Sequence, residues 1–88
     1  MCRNITTLRG LEPPATAEEI DAAALQYLRK VTGVNKPSAA MTEAFEAAVR
    51  AIAEVTESLI AELPPRRNPP PTLPPMRRRA AAEAAATA

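Results

Sequence analysis

Residues 16–38 read TAEEIDAAALQYLRKVTGVNKPS, a stretch that carries a helix start, a helix, a helix stop and the opening of a second helix. Thr16 followed three residues later by Glu19 is the capping-box pattern, in which the hydroxyl and the carboxylate each satisfy a backbone N–H that the first helical turn leaves unpaired. Beyond the cap, Ile20, Ala23, Ala24, Tyr27, Leu28 and Val31 fall on one stripe of a helix with about 3.6 residues per turn, so that stripe is expected to face a core. Glu18, Glu19 and Asp21 near the start, and Arg29 and Lys30 near the end, complement the helix dipole. Gly33 is the stop: it takes a left-handed conformation at little steric cost, and Val34 beyond it is placed to touch Leu28.

Val34 to Pro37 is a connection of the length that joins antiparallel helix pairs, commonly about 2 to 5 residues, with Ser38 as the expected cap of the second helix. There, Phe45, Val49, Ile52, Thr56, Leu59 and Leu63 alternate in steps of four and three, flanked by Ala48, Val55 and Ile60. The run is too short for an extended coiled coil, and a packed hairpin is the expectation. At about 1.5 Å per residue the helices span about 24 Å and about 37 Å, so the second overshoots the first. Its surplus end, with Leu59, Ile60 and Leu63, lies beside the point where the N-terminal segment MCRNITTLRGLEPP emerges. That segment reads as an extended arm with a turn near Gly10 and with Ile5, Leu8 and Leu11 in need of cover. Either the arm or a partner chain can cover the overshoot.

Seven of the twelve residues from Pro64 to Pro75 are proline, which forbids helix and favours a solvated, extended linker. Met76 to Ala88 contains strong helix formers but has no apolar face and puts three arginines at the wrong dipole end, so a disordered or frayed helix is expected. The fold class is therefore all-α: an antiparallel two-helix hairpin with an N-terminal extended arm and a proline-rich C-terminal tail. The division is a helical domain over 1–63 (arm 1–14, helices about 16–32 and about 38–63) and a tail over 64–88, which truncation after Leu63 is expected to remove without loss of the fold.

The chain has 88 residues, 47% hydrophobic but only 2% aromatic, so its core is aliphatic and alanine-rich. Domains this small rarely gain more than about 3 to 5 kcal/mol from one core without a metal, disulfides or oligomerisation. One Cys and no His exclude internal disulfides and the commonest zinc sites, which leaves oligomerisation. Up to Leu63 there are six basic against nine acidic residues, and after it five against one. An acidic folded part is a poor footprint for duplex nucleic acid. No apolar run approaches the roughly 18 residues of a membrane span, and a cytoplasmic protein is the expectation.

At MCRNI (1–5), LEPPAT (11–16), AAALQYLRK (22–30), Gly33, Lys36-Pro37-Ser38 and Ala44-Phe45, the sequence resembles a family of small bacterial proteins known as domain of unknown function 2277. The resemblance covers about Met1 to Leu63, with the tail outside it, and implies no activity, cofactor or catalytic residue.

Cys2 is the one candidate for chemistry: removal of Met1 would leave an N-terminal Cys whose amine and thiol, with pKa values of about 7.7 to 8.0 and about 8.5, could chelate a metal or act as a nucleophile. Arg29, Lys30, Lys36 and Ser38 gather around the connection, where they could bind an anion or nucleic acid, although dipole compensation and capping explain the same residues. The carboxylate pairs Glu18/Glu19, Glu43/Glu46 and Glu54/Glu57 read as solvated faces, and the PxxP from Pro71 to Pro74 as a spacer. The leading expectation is a non-enzymatic interaction module or homodimer without cofactor. Thiol or metal chemistry at Cys2 and anion or nucleic-acid binding through the connection and basic tail are the alternatives.

Overall fold

The computed structural model describes residues 5–87, which form three helices, α1 (Ala17–Thr32), α2 (Ala39–Glu62) and α3 (Pro75–Thr87), with no strand among the described residues. α1 is held at both ends by its own sequence. Thr16 is extended, its side-chain oxygen accepts the Glu19 N–H at 3.2 Å, and Glu19 Oε1 accepts the Thr16 N–H at 2.9 Å, completing the capping box. Gly33 closes the other end at φ 73°, donating its N–H to Arg29 O at 3.0 Å. No atom lies within 4 Å of where a Cβ would stand there, so the backbone conformation alone calls for glycine.

α2 starts differently. Ser38 occupies the N-cap position, but its hydroxyl makes no capping hydrogen bond, contrary to expectation. Its carbonyl instead accepts from the N–H groups of Met41 and Thr42 and, at 2.9 Å, from the Thr42 hydroxyl. α2 ends at Leu63, whose ψ of 150° is the extended conformation that the following Pro64 favours.

α1 and α2 pack on each other, and the buried apolar residues are few: Leu11 from the arm, Ile20 and Ala24 from α1, and Ala53 from α2. Several residues expected in the core are not there. Tyr27, Val31, Leu59 and Leu63 are 49%, 61%, 53% and 42% exposed. For Leu59 the reason is geometric: the 16 residues of α1 can shield only one side of the 24-residue α2, whose apolar arc is wider than a single neighbour covers. The overshooting end of α2 is met by the arm, since residues from Leu8 to Pro14 share a hollow with Ile20, Ile60 and Leu63. Arg9 Nη1 donates to Pro64 O at 2.6 Å. Gly10, at φ 89°, lets the arm turn against Arg66, whose side chain a Cβ would meet at 2.7 Å.

Most of the proline-rich stretch 64–75 is exposed, but it also touches the body of the protein. Pro70 and Pro74 are buried, and Pro75 opens α3 at a first-turn position where a missing N–H costs nothing. The three arginines do not prevent this helix, because Arg77 is engaged by a carboxylate of α1. Beyond it, residues 80–86 are exposed. The radius of gyration, 14.5 Å, exceeds the about 12 Å of a compact domain of this length.

Candidate functional site

Glu19 joins the two ends of the chain. It is 5% exposed, and beyond its capping role it receives Arg77 Nε on Oε2 at 2.7 Å and Arg77 Nη2 on Oε1 at 2.9 Å. The same Nη2 donates to Pro14 O at 3.0 Å, so one guanidinium ties α3 to α1 and to the arm. Burial raises the Glu19 pKa, but the Thr16 hydrogen bonds and the bonds and charge of Arg77 outweigh it, and the carboxyl sits below its ordinary value. This bidentate fork is the geometry for which arginine is suited and lysine is not.

Beside this clamp, α1 and the start of α3 line an open cavity of about 380 Å³, with Thr6 and Leu8 of the arm on its wall. Arg29 and Gln26 enter it from α1, and Pro74, Met76 and Arg79 from the tail. A second groove of about 570 Å³ runs between α1 and α2 and shares Leu25 and Arg29 with the first space, with Phe45, Val49 and Ala53 as further apolar lining and Asp21, Glu46, Glu54 and Glu57 set against Arg29 and Arg50. A third surface is apolar: Met41, Ala48 and Val55 recur every seven residues along α2, Ile52 and Leu59 stand four residues beyond Ala48 and Val55, and Met41, Val55 and Leu59 are exposed. Ile52 also shares a hollow with Ile5 and Tyr27.

These surfaces redistribute the residues singled out in the sequence. Arg29 is half-buried and faces the cavity with Arg79, whereas Lys30, Lys36 and Ser38 are exposed and line neither that cavity nor the α1–α2 groove. Of the carboxylate pairs, Glu18, Glu43, Glu46, Glu54 and Glu57 are exposed, and Glu19 is the exception that sequence spacing could not single out. Cys2 lies outside the described residues. Among those described, no group of three or more His, Cys, Asp or Glu residues could hold a metal ion, and no helix is long and apolar enough to cross a membrane.

A family model described as "Uncharacterized conserved protein (DUF2277)" matches residues 1–85. The chain belongs to this family. The match runs past Leu63, where the resemblance read from sequence motifs stopped, and takes in Arg77, Arg79 and most of α3. No curated protein and no solved structure matches the chain. The family match thus covers the clamp and the cavity as well as α1 and α2, while its description carries no activity.

Proposed function

We propose that this protein is a non-enzymatic, cytoplasmic interaction module whose first partner is a second copy of itself, with α1 and α2 as an antiparallel hairpin that presents the outer face of α2. The observation that carries this reading is the stripe Met41, Ala48, Ile52, Val55 and Leu59. It repeats at heptad spacing, bears no charge and is largely uncovered by the rest of the chain, with Val55 70% exposed. Surface area supports it. The chain exposes 6637 Å² for a mass of 9.4 kDa, where a compact monomer would expose about 5,000 Å². α3 accounts for part of the surplus, and a standard interface buries about 800 Å² per partner.

Charge selects the occupant. In a two-fold dimer the same patch meets itself, so an uncharged stripe meets no like-charge penalty. The α1–α2 groove carries Asp21, Glu46, Glu54 and Glu57 against only Arg29 and Arg50, so as a self-contact it would have to desolvate a net negative, highly charged surface. Pairing the stripes of two hairpins yields a four-helix bundle, in keeping with a repeat shorter than a free coiled coil needs.

Sedimentation of the full chain at micromolar concentration tests the proposal. The expected mass is twice 9.4 kDa, falling to the single-chain value in Val55→Glu with its helix content retained. A monomeric wild type across that range overturns it.

A further inference from the structure

The cavity between α1 and α3 brings together cationic and polar groups with atoms that find no partner among the other described residues. Arg29 comes from α1 and Arg79 from α3, and neither forms an ion pair with another described residue. Arg29 Nε is buried and finds no hydrogen-bond partner among the described residues, and the hydroxyl of Thr6, on the same wall, finds none among them either. The Nη1 of Arg77, held beside the cavity by Glu19, is a third such atom. Buried donors left unsatisfied cost about 1 to 3 kcal/mol each, more when charged, and a native fold retains them where something else supplies the acceptor.

We propose that this cavity is a binding site for a small oxyanion, a carboxylate or phosphate group held between Arg29 and Arg79. Two guanidiniums facing one space repel each other when it is empty and are both satisfied by one anion, which each can grip through paired N–H groups. Gln26 and Thr6 add neutral donors, and Leu8, Pro74 and Met76 line the space with apolar surface that weakens competition from water. Glu19 also lines the cavity, but its charge is already matched by Arg77, and both of its oxygens accept hydrogen bonds. A volume of about 380 Å³ is of the size that takes a small metabolite.

Because one guanidinium belongs to α1 and the other to the tail, a bound anion also fastens α3 to the body of the protein. The ligand and the docked tail stabilise each other by linkage.

Titration calorimetry on the full chain with inorganic phosphate and, separately, succinate, each against sodium chloride at matched ionic strength, tests the site. Limited trypsin digestion at the Arg77 to Arg79 bonds provides a second readout. Saturable one-to-one binding of either oxyanion is expected, with slower cleavage in its presence; phosphate alone would point to a phosphorylated ligand and succinate alone to a carboxylate. Arg79→Gln, an exposed position that leaves the clamp in place, should weaken binding about tenfold, the loss of one charge-assisted contact. Arg29→Gln should do the same, and Lys36→Gln, outside the cavity, should change nothing. No saturable binding of either anion at millimolar concentration, or an equal loss in Lys36→Gln, overturns the proposal.

Discussion

The two ends of the α1–α2 pair are finished in opposite ways. At one end the capping box, the buried Leu11 and Ile20, the arm and the Arg77 clamp converge on a few residues, and Glu19 alone serves two helices. At the other, α2 starts without a side-chain cap, and Val31, Lys30, Lys36 and Met41 stand in solvent. The closed end is built from contacts between distant parts of the chain, and the open end from local ones. Stability is therefore expected to concentrate where the chain termini return, and the outer face of α2 is left free for a partner.

The largest contrast lies in the apolar residues. Ile20→Ala, at a position only 5% exposed, should cost about 2 to 5 kcal/mol, as large-to-small core changes do. Leu59→Ala, at 53% exposure, should cost under about 1 kcal/mol in a dilute chain that cannot dimerise, although its place in the heptad run marked it as core. Chemical denaturation of the two variants in a Val55→Glu background separates the values. Equal losses would mean that the outer face of α2 carries as much of the fold as the buried contacts of α1.

Next comes the clamp. Arg77→Ala leaves Glu19 buried with only its Thr16 bonds, and should cost about 2 to 3 kcal/mol. The pH dependence has a definite sign. The folded Glu19 pKa is lowered by Thr16 and Arg77 against the opposing effect of burial, so its contribution is fully present above the unfolded carboxylate pKa of about 4.3 and is lost as pH falls through the lower folded value. Denaturation midpoints measured from neutral pH downwards should converge for wild type and Arg77→Ala in that acidic window. Parallel curves would mean that the pair adds nothing to the folded state.

What was legible in the sequence follows the same division between local and distant contacts. Thr16, Glu19 and Gly33 announce the limits of α1, because a capping box and a left-handed glycine stop need only neighbouring residues. The overshoot of α2 and the need to cover Ile60 and Leu63 followed from counting residues, and the arm now lies against them. The role of Arg77 did not follow. Its partner is 58 residues away, and a cation at a helix N-terminus reads as a defect until that partner is known. Arg29 is grouped with Lys30 and Lys36 by its chain position, and sequence spacing could not show that it also lines one cavity with Arg79. Seven prolines within twelve residues suggested a spacer, yet proline is also inexpensive to bury because it has little side-chain freedom to lose.

The smallest expected difference is the most direct test of how the two ends are made. Thr16 and Ser38 occupy equivalent N-cap positions in extended conformation, but only the Thr16 side-chain oxygen accepts a backbone N–H. Thr16→Ala should therefore cost about 1 kcal/mol, the usual value of a lost cap, with some further loss because the Glu19 carboxylate is held partly by the same motif. Ser38→Ala removes no side-chain hydrogen bond of α2, and the Ser38 carbonyl that accepts from Met41 and Thr42 is kept, so its effect should stay within about 0.5 kcal/mol. Both substitutions remove one hydroxyl from the same residue class at the same helical position, so propensity and exposure largely cancel in the comparison. A Ser38→Ala loss as large as that of Thr16→Ala would show that α2 is capped in solution by its serine, and that the open end is more tightly finished than its hydrogen bonds indicate.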